Sequence, residues 1–147
     1  MEIRKIIKKC LVETADINQW MSGECIPFAV ALKKVFPHYG IAVLNDLVND
    51  VDEDIEYNYN FVHAFCYCPE NHTIIIDAKG VRKLNNLYDD FHDINPEIDW
   101  DIYSSEQLIE KYSNKEFYSE ESFPFDVEEY KSALSYIKNN IDKYSVE

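Results

Sequence analysis

A β-hairpin in the middle of the chain is the sequence feature that most constrains the fold. Two apolar runs, residues 60–68 and 72–78, flank the turn Pro69-Glu70-Asn71. Proline presets φ at the first loop position, and asparagine tolerates positive φ at the third. We therefore predict a three-residue loop between two antiparallel strands.

This loop length determines which side chains share a face of the hairpin. If Cys68 pairs with His72, then His63 lies directly opposite Asp77. Directly opposed side chains have Cβ atoms about 5 Å apart, within reach of an imidazole–carboxylate hydrogen bond. A loop one residue shorter or longer would place the two side chains on opposite faces.

A short apolar helix is predicted at residues 26–36, upstream of the hairpin. Pro27 suits the first turn, and Pro37 ends the helix. Its apolar stripe consists of Phe28, Ala31, Leu32 and Val35. Cys25 then lies at the helix N-terminus, where the helix dipole and free N–H groups stabilise a thiolate.

Cys25, His63 and Asp77 together provide the three groups that a thiol nucleophile requires: the nucleophile, its base and a group that orients the base. Gln19 could donate its side-chain amide to an oxyanion alongside the Cys25 N–H. Each residue also has an ordinary structural interpretation. The cysteine could be a small buried apolar residue, the histidine a partner of a backbone group, and the aspartate a turn residue. Their order and the predicted register favour the triad.

The segment around the cysteine resembles the nucleophile segment of papain-like cysteine peptidases. The resemblance consists of Gln19 followed by Gly23-x-Cys25-x-x-Phe28 at the start of a helix. In that family, a glutamine at this spacing forms part of the oxyanion hole, so the resemblance implies this role for Gln19.

The spacing from His63 to Asp77 at the end of an apolar strand is similar to the transglutaminase-like and arylamine N-acetyltransferase branches of the same superfamily. The resemblance implies an α+β, papain-like (transglutaminase-core-like) fold, with the nucleophile helix packed on a central antiparallel β-sheet. It also implies a hydrolase or acyltransferase acting on an amide or thioester, as peptidase, amidase or deamidase, without a cofactor.

A zinc site is the competing interpretation of the hairpin, because His63, Cys66, Cys68 and His72 lie within ten residues. Strand alternation separates these side chains, since His63 points to one face while Cys66 and Cys68 point to the other. We therefore predict that both cysteines are buried on the face opposite His63 and that no metal is bound.

Composition narrows the remaining possibilities. A chain of 147 residues fits a single domain, 1–147, and its four cysteines without a signal-peptide pattern indicate free thiols in the cytoplasm. No apolar run reaches the length of a membrane span. A formal net charge of −14 disfavours binding to nucleic acid. It leaves open an alternative function, a non-catalytic acidic protein of the immunity or inhibitor type that sequesters a basic protein partner.

The other predicted elements complete the α+β pattern. Residues 41–48 are predicted as a strand, residues 1–11 as an amphipathic helix, and residues 126–144 as one long helix. A further helix begins at Ser104, with a capping box to Gln107. Residues 81–101 show little periodicity and are predicted as turns around short pieces.

Overall fold

The computed structural model describes residues 17–21, 24–47, 59–112 and 125–146. The predicted helix at residues 1–11 lies outside these ranges. Residues 17–20 are helical. The elements that follow are α1 (Cys25–Val35), β1 (Gly40–Leu47), β2 (Tyr59–Cys68), β3 (Asn71–Asp77), β4 (Gly80–Lys83), α2 (Leu84–Asp90), β5 (Pro96–Ile102), α3 (Ser105–Tyr112), α4 (Val127–Asn139) and α5 (Ile141–Tyr144).

In the described part of the chain the strands form one five-stranded sheet with the order β4-β3-β2-β1-β5. Every neighbouring pair is antiparallel. The predicted α+β class with a central antiparallel sheet is therefore confirmed. No helix in the described ranges is both long and apolar enough to cross a membrane.

The hairpin register differs from the prediction in an instructive way. Cys68 pairs with Asn71, so the turn has two residues rather than three, and the predicted pairing of Cys68 with His72 is wrong. An irregularity then shifts the ladder, and Tyr67 pairs with Ile75. Since the ladder is displaced from the prediction by two residues rather than one, the predicted faces of the strands are unchanged.

Each face of the sheet carries its own apolar cluster. The face that packs against α1, which we call the helix face, includes Ile41, Val43, Ala64, Cys66 and Ile76. The other face, which we call the α2 face, includes Ala42, Leu44, Phe65 and Ile75, with Leu87 of α2 packed on it. Alternation along the strands produces this division, because successive side chains point to opposite sides. The predicted packing on the sheet of the helix that carries Cys25 is confirmed.

The helices agree with the prediction in type, and one differs in continuity. The predicted helix at 26–36 forms as α1, one residue earlier at each end. Ser104 caps α3 as predicted, since its Oγ accepts from the Gln107 N–H at 3.1 Å. The predicted helix at 126–144 is interrupted at Asn140, whose side chain donates to the Tyr136 carbonyl at 2.8 Å. This local bond competes with helix continuation.

Residues 80–102 contain elements that the sequence pattern did not resolve. They form β4, α2 and β5, which are four, seven and seven residues long. Such short elements show too few periods for their alternation to be recognised. They matter for function, since β4 lies beside β3 and α2 covers the face of the sheet that carries His63.

Candidate active site

Cys25 is the first residue of α1, and it is almost completely buried. Its Sγ accepts a hydrogen bond from the Ala64 N–H of β2 at 3.3 Å. The sulfur therefore lies against the backbone of the residue that follows His63. The preceding residue, Glu24, makes no side-chain cap to the helix, so the first N–H groups of α1 are not satisfied by it.

His63 lies at a β-bulge in β2. Leu44 pairs with His63 while Asn45 pairs with Phe61, so Val62 is an extra residue in the strand. The imidazole lies on the α2 face, with its centroid 6.2 Å from that of Phe65. No glycine or proline near His63 indicates a bulge, and the bulge was not predicted from the sequence.

Asp77 binds His63, as the sequence predicted, but the predicted direct opposition of the two residues is wrong, since Cys66 pairs with Ile76 and Asp77 lies diagonally from His63. The Nε2 atom of His63 lies 3.3 Å from Oδ2 of Asp77, and both side chains are buried. Because an ionised carboxylate can only accept, Nε2 carries the proton in this contact. The Nδ1 atom makes no hydrogen bond to any described residue. It lacks a proton in the neutral ring and carries one in the imidazolium.

Arg82 is the residue of this site that sequence reasoning missed. Its Nε donates to Oδ1 of Asp77 at 3.1 Å, and its Nη2 donates to Oδ2 at 2.6 Å. The third nitrogen, Nη1, donates to Asp90 of α2 at 2.5 Å. The signal available in the sequence was an arginine five residues after the aspartate, across a tight turn. It became recognisable only once β3 and β4 were known to pair.

The charges of the site follow from these contacts. Burial lowers the pKa of His63, but the hydrogen bond to Asp77 and the proximity of Cys25 and of the Asp77 carboxylate raise it to about 9. Burial also opposes ionisation of Asp77, yet His63 and Arg82 together lower its pKa below the ordinary range. At pH 7 the carboxylate is therefore ionised and the imidazole is mostly protonated.

Gln19 is placed differently from its predicted role. Its Nε2 donates to Glu129 of α4 at 3.0 Å, and its side chain is exposed. Its carbonyl accepts from the Glu24 N–H at 3.0 Å, so the backbone of Gln19 lies close to the start of α1. The structure thus brings Gln19 near the nucleophile helix and directs its amide to α4. The oxyanion role stays a prediction.

The other thiols follow the predicted faces of the hairpin. Cys66 is fully buried on the helix face, where its thiol donates to the Ala29 carbonyl at 3.5 Å, and burial raises its pKa. Cys68 is only half-buried, so the prediction that it is buried is wrong. Within the described residues, no group of three or more histidine, cysteine or acidic side chains could hold a metal ion.

The complete enclosure of the three groups is the second finding that sequence reasoning missed. The relative exposure is 1% for Cys25, 0% for His63 and 1% for Asp77. His63 and Asp77 therefore form a buried hydrogen-bonded pair, and Cys25 is buried against the Ala64 N–H beside it. Comparisons with known proteins returned no match, whether to a family model, a curated protein or a solved structure.

Proposed function

We propose that this protein is a cysteine hydrolase or acyltransferase that acts on an amide or thioester, with Cys25 as nucleophile, His63 as acid and base, and Asp77 as the group that orients His63. The observation that carries the proposal is the convergence of these residues. The Sγ of Cys25 in α1 accepts from the Ala64 N–H, next to His63, and His63 of β2 bonds Asp77 of β3.

The orientation of the His63 ring supports this assignment. With the proton of Nε2 directed to Asp77, Nδ1 is the nitrogen available to exchange a proton with a thiol. Asp77 is fixed in turn by the Lys79 N–H, which donates to Oδ1 at 3.0 Å. A base held by a third group in one orientation is the arrangement that nucleophilic catalysis requires.

The reaction follows from these positions. The Cys25 thiolate attacks the carbonyl carbon, forming a C–S bond, and the carbonyl oxygen takes up the negative charge. Protonated His63 then gives its proton to the leaving amine or thiol as the C–N or C–S bond of the substrate breaks. In hydrolysis, His63 next removes a proton from water, which attacks the acyl-enzyme and releases the acid and Cys25. The N–H groups at the start of α1, with Gln19, are proposed as oxyanion donors.

We propose a papain-like, transglutaminase-like architecture on the same grounds. The nucleophile begins a helix that packs on an antiparallel sheet, and the histidine and aspartate come from adjacent strands of that sheet. The free thiols of Cys25, Cys66 and Cys68 are consistent with a cytoplasmic location, where cysteines stay reduced.

Thiol labelling tests the proposed chemistry. We expect Cys25 to react with iodoacetamide at neutral pH faster than a free cysteine, and His63→Ala to abolish that advantage. Peptide mapping distinguishes Cys25 from the half-buried Cys68, and His72→Ala serves as a control because His72 is exposed on β3. Labelling of Cys25 no faster than a free thiol, or unaffected by His63→Ala, would contradict the proposal.

A second candidate function is an acidic binding protein that covers a basic partner. The observation that favours it is the burial of Cys25, His63 and Asp77, because buried polar groups in a closed core also occur as purely structural networks. The net charge of −14 provides the attraction to a basic surface. In this case His63→Ala lowers stability but leaves the iodoacetamide rate of Cys25 in the folded protein unchanged.

A further inference from the structure

Arg82 binds the carboxylate of Asp77, the residue proposed to orient His63. Its bond to Asp77 is bidentate, with two nitrogens donating to two different oxygens at 3.1 and 2.6 Å. A planar guanidinium fork matches the geometry of a carboxylate and fixes its plane as well as its position. Asp77 therefore has little freedom to rotate away from His63.

The guanidinium is itself anchored on the far side. Its third nitrogen donates to Asp90, and Lys79 reaches the same Asp90 oxygen at 3.1 Å. The Arg82 side chain is only 11% exposed, so little solvent competes with these bonds. Because Asp90 belongs to α2, hydrogen bonds connect α2 through Arg82 to Asp77, and Asp77 to His63.

Arg82 and His63 share one oxygen of the Asp77 carboxylate. The carboxylate oxygen that binds Nε2 of His63 is the one that accepts the 2.6 Å bond from Arg82. The ionisable groups around this point are Cys25 of α1, His63 and Cys66 of β2, Asp77 of β3, Lys79 of the β3–β4 turn, Arg82 of β4 and Asp90 of α2. From α5, Asp142 lines the same cavity as Arg82. Apart from the imidazole itself, Arg82 is the cation among the described residues that bonds the Asp77 carboxylate.

We propose that Arg82 is a positioning residue of the Cys25 site, which holds Asp77 in the plane that orients His63 and shares the charge of that carboxylate with the imidazole. This inference rests on the proposed function, because it assigns Arg82 a part in that chemistry. It separates two effects of one side chain. The geometry depends on the guanidinium fork, whereas the charge depends only on a cation being present.

Two substitutions at one position test these effects separately. Arg82→Gln removes the cation. We then expect the pKa of His63, followed by NMR, to rise by about one unit, because Arg82 no longer offsets the negative charge of Asp77. Arg82→Lys keeps the cation but loses the fork. It should leave the pKa of His63 near that of the wild type while slowing alkylation of Cys25 by iodoacetamide at least about tenfold.

Lys83→Gln is the matched control, because Lys83 follows Arg82 in β4, its side chain is exposed, and the substitution removes one positive charge next to Arg82. It should change neither quantity. A pKa of His63 and an alkylation rate that both stay at the wild-type values in Arg82→Lys and Arg82→Gln would overturn the inference. Arg82→Lys retains a cation beside Asp77, so it decides the matter if Arg82→Gln does not fold.

Failure of the proposed function gives a different result from failure of this inference. If Cys25 is not activated, the wild-type protein already labels no faster than a free thiol. If Cys25 is activated but Arg82 has no positioning role, the wild type labels rapidly and so does Arg82→Lys.

Discussion

Two aspartates of the sheet, Asp77 and Asp99, are bonded by similar sets of groups in different surroundings. Each accepts from a backbone N–H two residues later at 3.0 Å, and each pairs with a basic side chain. Asp77 adds an imidazole, and Asp99 adds the hydroxyl of Tyr112 at 2.8 Å. In both cases bonded partners lower the pKa of the carboxyl group.

The difference lies in position within the sheet. Asp77 ends β3, an interior strand, and is 1% exposed beside a well-buried arginine. Asp99 lies on the edge strand β5, is 18% exposed, and pairs with Lys111, which is 55% exposed. It lines an open cavity of about 500 Å³. Similar bonding therefore gives a rigid, low-dielectric network at Asp77 and a solvated ion pair at Asp99.

Removing Arg82 or Lys111 tests this difference between the two carboxylates most directly. We expect Arg82→Met to lower the free energy of unfolding by roughly 3–5 kcal/mol, because it removes the bidentate cationic partner of the buried Asp77 carboxylate. Urea denaturation followed by circular dichroism measures the loss. A loss below about 1 kcal/mol would show that Asp77 is as well solvated as Asp99.

A second test uses pH, because only the interior network contains a group with a strongly raised pKa near neutrality. The folded pKa of His63 is about 9, above its ordinary value of 6.5, so the folded state binds the proton more tightly. This contribution to stability is full below pH 6.5 and is lost as pH rises through 9. We expect the free energy of unfolding to fall by at most about 3 kcal/mol across this window.

The control for the pH test is a pair of histidine variants. His63→Phe should flatten the pH dependence between 6.5 and 9, whereas His92→Gln should not, because His92 is 75% exposed. The edge network contributes little in this window, since the pKa values of Lys111 and Tyr112 are raised above their ordinary values of 10.5 and 10.0. A wild-type stability that is constant from pH 6.5 to 9 would contradict the placement of His63.

The smallest expected effect is at the edge. Lys111→Met removes the cation from Asp99 as Arg82→Met removes it from Asp77, yet we expect a loss below about 1 kcal/mol. Tyr112 and the Asp101 N–H continue to bond the carboxylate. Added salt should weaken this pair and leave the interior pair nearly unchanged. A loss comparable with that of Arg82→Met would remove the distinction between the two regions.

Local chemistry is enough to predict several features of this molecule. The apolar stripe and Pro27 predict α1, the hairpin residues predict β2 and β3, and Ser104 predicts the start of α3. These elements depend on neighbours in sequence, so their signals are local. The shared face of His63 and Asp77 was also predicted, although from a wrong turn length. The actual register differs by two residues, which preserves strand parity.

Local sequence patterns thus predict the α+β class, a helix with Cys25 at its N-terminus, and the alternation that places His63 with Asp77 and away from Cys66. Contacts between distant segments account for the rest: Arg82 binds Asp77, a bulge sets the position of His63, and Gln19 donates to Glu129. The burial of Cys25, His63 and Asp77 also arises from these contacts. The physical reason is that helical and strand periodicity are encoded in neighbouring residues, whereas burial and charge pairing arise when distant segments pack together.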